Sequence, residues 1–154
     1  MTKPDLYLDD FAVGFRWKGR PIPVEQDAII RFAREYDPQP MHADPEISAA
    51  GRFGGVIASG WHVAALVMRD FVETSPWGAT PMLGAEVDKL CWLQPVRAGD
   101  VLLAHREIAE LKPSRSRPDR GLVRIRTSVS NQNDQEVMTF SPLIQLPMRP
   151  AQNR

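Results

Sequence analysis

Two side chains in the first third of the sequence have the types and spacing for acid–base chemistry. Asp37 and His42 stand five positions apart in a segment with three prolines, Pro38, Pro40 and Pro45, which leave this part of the chain little freedom to lose. A carboxylate beside an imidazole can hold a water molecule and pass protons in both directions near neutral pH, as the addition of water to a double bond requires. The spacing also fits a plainer interpretation, in which Asp37 ends a helix and His42 is a hydrogen-bonded loop residue.

Gly60 is a candidate oxyanion donor because the sequence places it at the start of a helix. Backbone N–H groups there lack partners within the helix, and the helix dipole favours negative charge. A donor at such a position can stabilise negative charge that develops on an oxygen atom during a reaction. A glycine is also expected where a side chain would clash with a neighbouring sheet, and both interpretations can hold together.

Two helices and the segment between them must position these residues. Apolar residues recur at three- and four-residue spacing over 24–36, which predicts an amphipathic helix, and Pro38 should end it near residue 37. Residues 37–45 are expected to be irregular, and 46–51 to form a short helical turn with Asp44 as its cap. The nearly continuous apolar stretch from Trp61 to about Thr74 predicts a buried helix.

The second half of the sequence changes to a period of two residues. A short strand is predicted at 14–19, ended by Pro21 and Pro23, and four longer strands at about 83–94, 100–111, 121–130 and 136–148. The predicted fold class is α+β, with an antiparallel sheet of about five strands wrapped around the long central helix. This arrangement is the hotdog fold, and one domain over residues 1–154 accounts for the sequence.

Composition excludes several classes of protein. The chain has 154 residues with 19 basic and 19 acidic side chains, and zero net charge argues against binding nucleic acid by bulk electrostatics. No apolar run approaches the roughly 18 residues of a membrane span, and residues 1–10 lack the features of a signal peptide, so a cytoplasmic protein is expected. Cys91 is the single cysteine and the histidines show no metal-binding spacing, so no metal site is predicted.

A longer motif surrounds Asp37 and His42. The segment 32–45, FAREYDPQPMHADP, resembles the hydratase motif of the MaoC-like dehydratases, the family of (R)-specific enoyl-CoA hydratases. The resemblance continues through 53–60, FGGVIASG, and again at 93–100, LQPVRAGD. It implies a hotdog-fold homodimer or higher homo-oligomer that acts on acyl-CoA thioesters. It also implies that Asp37 and His42 are the catalytic pair and that coenzyme A enters as part of the substrate, with no other cofactor.

Two positions differ from the commoner pattern of that family. Gln39 stands where many members have Asn, and Ser59 where many have His; neither is expected to touch the catalytic pair. Both are candidate substrate-binding residues. The longer amide of Gln39 can still orient the pair or the water, but it takes more room and so bears on acyl specificity. Ser59 also fits a packing role alone. Trp61 is a candidate for lining an acyl tunnel with Met68 and Phe71, although large apolar residues at helical spacing also fit core packing.

A basic loop lies between the second and third of the four longer strands. Residues 105–126 hold seven basic against three acidic side chains, and Arg115, Arg117 and Arg120 are candidates for binding the phosphates of coenzyme A at the mouth of the tunnel. The same arginines equally fit a solvated hairpin turn.

The sequence therefore predicts an enzyme, a hydro-lyase that adds water reversibly to a trans-2-enoyl-CoA thioester. Two alternatives remain open: a thioesterase of the same fold, which directs water at the carbonyl carbon, and a non-catalytic acyl-CoA-binding protein. Neither nucleic acid nor a membrane is expected as a partner. His62 and His105 are expected to be structural or surface residues, and Cys91 has no neighbouring base in the sequence that would make it a nucleophile.

Overall fold

An antiparallel sheet of six strands dominates the computed structural model, which describes residues 5–151. The strands are β1 Arg16–Lys18, β2 Ile22–Pro23, β3 Leu83–Trp92, β4 Val101–Pro113, β5 Arg120–Ser130 and β6 Glu136–Pro147. Their order across the sheet is β1-β4-β5-β6-β3, and β2 pairs with the start of β4. Two short stretches lie outside the described residues, namely 1–4 and 152–154. They include the start of the N-terminal segment and both ends of the predicted domain.

The helices of the described residues all precede the long strands in the chain. They are α1 Gln26–Tyr36, α2 Pro40–Ala43, α3 Pro45–Ala50 and α4 Gly60–Thr74, after a single 3-10 turn at Leu8–Asp10. The predicted helices over 24–36 and from 61 to about 74 are confirmed to within two residues at each end. Between residues 5 and 151, no helix has both the length and the apolar character to cross a bilayer.

Helix α4 is the centre of the fold because its buried face packs on the inner face of the sheet. Val63, Val67 and Phe71 are buried on α4, and Val123 and Val129 of β5 are buried opposite them in the two apolar clusters of the core. Burial of a side chain of this size contributes about 1.5–3 kcal/mol to stability. The alternation predicted for β5 is confirmed, and the arrangement is the α+β hotdog fold expected from the sequence.

A buried ion pair fixes where α4 sits on the sheet. Oδ2 of Asp70 lies 2.8 Å from an Nη atom of Arg106 on β4, and both side chains are almost completely buried. Arg106 also donates to the carbonyl oxygen of Val67 at 3.2 Å, and the backbone N–H of Arg20 donates to Asp70 at 2.9 Å. Because either charge alone would be costly to bury, the pair specifies one position of the helix against the strand.

The structure adds one short strand and one helical turn to the predicted elements. The strand predicted at 14–19 ends at Lys18, before Pro21, as expected. The additional strand β2 pairs Pro23 with Val101, and proline is tolerated at an edge where its missing N–H is not needed. The segment 37–45, expected to be irregular, contains the helical turn α2, because Pro40 occupies the first helical position, where its fixed φ suits the helix. The four longer strands agree with prediction.

Candidate active site

The end of α1 and the two short helices after it place Asp37 and His42 side by side. Asp37 closes α1, and its backbone N–H donates to the carbonyl oxygen of Ala33 at 2.9 Å. Pro38 then directs the chain out of helical geometry, and α2 carries His42 back towards the end of α1. The predicted cap at Asp44 is confirmed, since its carboxylate accepts from the backbone N–H groups of Glu46 and residue 47 and begins α3.

The orientation of His42 is fixed by a backbone carbonyl. Its Nδ1 lies 2.7 Å from the carbonyl oxygen of Ile57 in a buried contact. A carbonyl oxygen can only accept a hydrogen bond, so Nδ1 carries a proton and donates it. The other ring nitrogen, Nε2, faces Oδ2 of Asp37 at 3.5 Å. In the neutral ring, two acceptors therefore face one another across a gap longer than a direct hydrogen bond.

Gln39 contacts Asp37, so the expectation that it would not do so was wrong. Nε2 of Gln39 donates to Oδ1 of Asp37 at 2.8 Å. Hydrogen bonds from Gln39 and then from the Ser59 hydroxyl lower the pKa of Asp37 below its usual value, with a smaller contribution from His42 and against partial desolvation. Asp37 is thus held as a carboxylate with one oxygen directed to His42.

The start of α4 lies beside the pair. Ser59 caps the helix, since its hydroxyl accepts from the backbone N–H of Trp61 at 3.3 Å. Gly60 is the first helical residue, so its N–H has no acceptor within the helix. A Cβ at this position would come within 2.4 Å of the indole of Trp92. Both interpretations offered for Gly60 are therefore consistent with its surroundings. Gly60 begins the helix, and its backbone approaches the indole of Trp92 closely.

A cavity of about 390 Å³ opens in front of these groups. Its lining combines the polar groups around the pair with residues from the start of α4 and the end of β3: Asp37, Gln39, His42, Gly60, Trp61 and Trp92. The structure thus brings together five of the predicted site residues. Ser59 caps α4 next to them and does not line the cavity. Trp92 and the carbonyl of Ile57 were not predicted.

Trp61 joins this cavity to a larger apolar one between α4 and the sheet. The second cavity has a volume of about 670 Å³ and is lined in part by Met68 and Phe71, as expected for an acyl tunnel, and by Phe140 of β6. Trp61 lines both cavities and packs edge-on against Trp92 with ring centroids 5.0 Å apart. The two indoles therefore stand at the junction between a polar site and an apolar chamber.

Comparison with known proteins identifies the family. The family described as "MaoC like domain" matches residues 12–132, which is most of the chain. The chain belongs to the MaoC-like domain family. It is 38% identical to the MaoC-like dehydratase from Rhodospirillum rubrum, whose crystal structure superposes with a TM-score of 0.83 over 94% of this chain and 99% of that one.

Two further proteins are similar to this MaoC-like protein. The uncharacterized protein YdeM of Bacillus subtilis (strain 168) is 34% identical over 132 residues, which cover 86% of this chain and 92% of YdeM. The unliganded (R)-hydratase PhaJ1 from Pseudomonas aeruginosa is 24% identical and has a TM-score of 0.76, over 96% of this chain and 92% of that one. The second likeness shows that the two proteins share a fold.

The three arginines of the MaoC-like chain's basic loop do not line this cavity, and their expected contact with coenzyme A stays a prediction. Arg115, Arg117 and Arg120 line a separate cavity of about 470 Å³ at the turn between β4 and β5. The Asp37 site adjoins the other end of β4, since Ala58 pairs with Val96 just before that strand. A strand of 13 residues spans about 40 Å at roughly 3.3 Å per residue.

The remaining candidates have the structural roles that were expected. His62 is buried and stacks on Phe32 with ring centroids 4.9 Å apart. His105 is an exposed residue of β4. Cys91 is exposed on β3. None of the three lines the cavity that holds Asp37 and His42.

Proposed function

We propose that this MaoC-like protein is a hydratase–dehydratase, a hydro-lyase that adds water reversibly to the double bond of a trans-2-enoyl-CoA thioester. The observation that carries the proposal is the 3.5 Å gap between Nε2 of His42 and Oδ2 of Asp37. Because both atoms are acceptors when Nδ1 holds the ring proton, one water molecule can donate a hydrogen bond to each. Its oxygen lone pair is then free to attack.

In this scheme the Asp37 and His42 pair handles both protons of the reaction. The water oxygen forms a bond to the β-carbon of the enoyl group while one water proton passes to the pair, and the electrons of the double bond move onto the thioester oxygen as an enolate. The enolate then takes a proton from the pair at its α-carbon, which gives the 3-hydroxyacyl thioester and restores the pair. Similarity to the (R)-hydratase from Pseudomonas aeruginosa favours the (R) product.

Gly60 is the donor proposed for the enolate oxygen. Its N–H has no helical acceptor and borders the cavity, and it stands where the helix dipole favours negative charge. The thioester carbonyl would lie against this N–H, with the acyl chain passing Trp61 into the apolar chamber. Coenzyme A belongs to the substrate in this scheme, and the reaction needs no other cofactor.

Crotonyl-CoA distinguishes this proposal from its rivals. Loss of the enoyl absorbance without release of free thiol is the expected result. Release of free coenzyme A would identify a thioesterase, because that enzyme directs water at the carbonyl carbon. Binding of the ester without loss of absorbance or release of thiol would identify a non-catalytic acyl-CoA-binding protein. A panel of short, branched and long enoyl-CoA esters would then define the acyl group.

We further propose a homodimer formed through β3. This strand pairs on one side only, with β6, so its other side offers unpaired backbone groups. Large apolar side chains that are more than 40% exposed cluster on this strand and on the adjoining face of α4: Leu83, Val87, Trp92, Trp61, Met68 and Val72. A second copy that adds its own β3 would pair the edge and cover the cluster. A solution mass near twice 17.3 kDa is expected.

A further inference from the structure

We propose that the apolar chamber selects enoyl groups that carry a neutral oxygen atom, as a hydroxyl or a carbonyl group, near the end remote from the thioester. Arg106 and Thr127 determine this specificity, because they form hydrogen bonds with that oxygen. The inference rests on the proposed hydratase function, and it names the class of acyl group on which the site acts.

Two buried polar side chains belong to the otherwise largely apolar wall of the chamber. Arg106 of β4 and Thr127 of β5 both line it, and each residue is no more than 3% exposed. The two residues are paired across their strands, so their side chains lie next to each other on one face of the sheet. Glu86 also lines the chamber, but it is exposed and pairs with Arg124. Arg106 and Thr127 therefore form one buried polar patch.

The guanidinium group of Arg106 has a hydrogen-bond donor in reserve. Its Nη atoms donate to Oδ2 of Asp70 at 2.8 Å, to the hydroxyl of Thr74 at 3.4 Å and to the carbonyl oxygen of Val67 at 3.2 Å. None of these bonds uses Nε–H, which has no acceptor among residues 5–151. A buried donor without an acceptor is costly. Arg106 is therefore suited to a ligand that offers an acceptor atom.

The hydroxyl of Thr127 also lacks a good partner. Its described contact is with the carbonyl oxygen of Ile125 on the same strand, at 3.5 Å. This distance is longer than the roughly 2.5–3.0 Å that is usual for a hydrogen bond between two oxygen atoms. A hydroxyl group on the acyl chain can donate to Thr127 and at the same time accept from Arg106. One neutral oxygen therefore satisfies both members of the patch.

The charge of the patch favours a neutral oxygen over a carboxylate. Asp70 already neutralises Arg106, and the two side chains are only 5% and 1% exposed. A carboxylate on the acyl chain would add a negative charge to a buried wall that has no net charge, which is unfavourable. A hydroxyl or carbonyl oxygen adds a hydrogen bond without adding a charge.

The patch lies at a distance from the reactive groups that an acyl chain can span. Gly60, the proposed donor to the enolate oxygen, begins α4, and Asp70, which holds Arg106, lies further along the same helix. From residue 60 to residue 70 an α-helix rises about 15 Å at roughly 1.5 Å per residue. Trp61, Ala64 and others line the chamber between these two points. The distance suits a medium-chain enoyl group with its oxygen at or near the last carbon.

Matched substrates test the inference by a ratio of rates. The two esters are trans-2-decenoyl-CoA and the same ester with a hydroxyl on its terminal carbon, and the parent should hydrate the hydroxylated ester at least as efficiently as the plain one. In Asp70→Asn/Arg106→Met, the new amide oxygen can still accept from the backbone N–H of Arg20. The ratio of kcat/KM for the hydroxylated ester to that for the plain ester should fall at least about tenfold, because the hydroxyl is then buried without its donor.

A second variant tests the patch without removing the ion pair. Thr127→Val keeps the shape of the side chain and removes the hydroxyl, and the same ratio should fall at least about threefold. Thr80→Val is the matched control, because it removes a buried hydroxyl that does not line the chamber, and its ratio should equal that of the parent. Equal ratios in the parent, the double variant and Thr127→Val would overturn the inference. A parent that prefers a terminal carboxylate to the terminal hydroxyl would overturn it too.

Binding of saturated esters separates this inference from the proposed function. Decanoyl-CoA and its terminally hydroxylated analogue have no double bond to hydrate, so calorimetric titration with each reports the chamber alone. A preference for the hydroxylated ester that is lost in Asp70→Asn/Arg106→Met, in a protein that hydrates no enoyl thioester, refutes the hydratase proposal alone. Hydration of decenoyl-CoA with the same ratio in the parent and the double variant refutes this inference alone.

Discussion

The indole nitrogen of Trp92 donates a hydrogen bond of 3.0 Å to the carbonyl oxygen of Gly60, so the last residue of β3 is tied to the first residue of α4. The indole covers the position that a side chain at residue 60 would occupy. One contact thus sets both the wall of the active-site cavity and the exposure of the proposed oxyanion donor.

Substitution of Gly60 by Ala should therefore damage catalysis more than stability. The new Cβ would lie 2.4 Å from Cε2 of Trp92, and the partly exposed indole must move, which displaces the wall against which the thioester lies. We expect kcat/KM for crotonyl-CoA to fall at least about tenfold, with a loss of only a few degrees in Tm. Gly51→Ala, whose Cβ meets its nearest atom at 3.4 Å, is the control. An unchanged rate for the Gly60 variant would contradict the proposed site.

Replacement of either member of the catalytic pair should remove most of the activity. Asp37→Asn and His42→Ala each break one proton-transfer unit, so each should lower kcat by roughly 10²- to 10⁴-fold, and the double variant should be little worse than either single one. Circular dichroism checks the fold. Asp27→Asn and His105→Ala, both at exposed positions, control for the change of residue type. A single variant within a few-fold of the parent rate would show that the role assigned to that residue is wrong.

The titration of the Asp37 carboxyl should report its hydrogen-bond donors. Hydrogen bonds from Gln39 and Ser59 lower the pKa of Asp37, which keeps the carboxylate ionised into acid pH. Ser59→Ala or Gln39→Ala removes a donor, raises the pKa of Asp37 and should move its carboxyl titration, followed by NMR in the His42→Ala background, to higher pH.

Ser48→Ala is the matched control for the Ser59 substitution. It removes another buried hydroxyl, one that donates to the carbonyl oxygen of Pro40 at 2.9 Å. If Asp37 titrates at the same pH in the Ser59 and Ser48 variants, the hydroxyl of Ser59 does not act on Asp37 and serves only to cap α4.

His62 should make the folded protein less stable in mild acid. Burial lowers the pKa of His62 below its ordinary value of 6.5, and Arg31 and Arg69 add to this effect. The unfolded chain therefore takes up a proton as the pH falls through about 6.5 while the folded chain does not. This difference removes stability below that pH and has no effect above it. Thermal melts of the parent and of His62→Gln between about pH 8 and pH 5 should show a smaller acid loss in the variant, whereas His105→Gln should behave like the parent.

The sequence was sufficient to predict contacts that are local in the chain. The ends of α1 and α4, the cap at Asp44 and the pairing of Asp37 with His42 follow from proline positions, periodicity and a five-residue spacing. These features depend on neighbours within one or two turns of helix, where residue type carries a clear signal.

Contacts between distant segments could not be predicted in the same way. The carbonyl of Ile57 that orients His42 has no side-chain signature, and Trp92 reaches Gly60 from a strand 32 residues further along. The basic loop was placed at the active site on charge alone, but its distance depends on the length and direction of β4, which composition does not encode. The influence of Ser59 on the pKa of Asp37 likewise depends on where α4 docks.

The proposed chemistry is concentrated in one short, continuous stretch of chain, residues 37–60. Hydrogen bonds within this stretch, such as that from His42 to the carbonyl oxygen of Ile57, hold it together. The walls of the apolar chamber come mostly from elsewhere, from the outer part of α4 and from β3 and β6. Mutations that reshape the chamber therefore leave the reactive groups where they are. Small substitutions in the sheet can therefore change the acyl group that the chamber accepts without moving the segment that handles water.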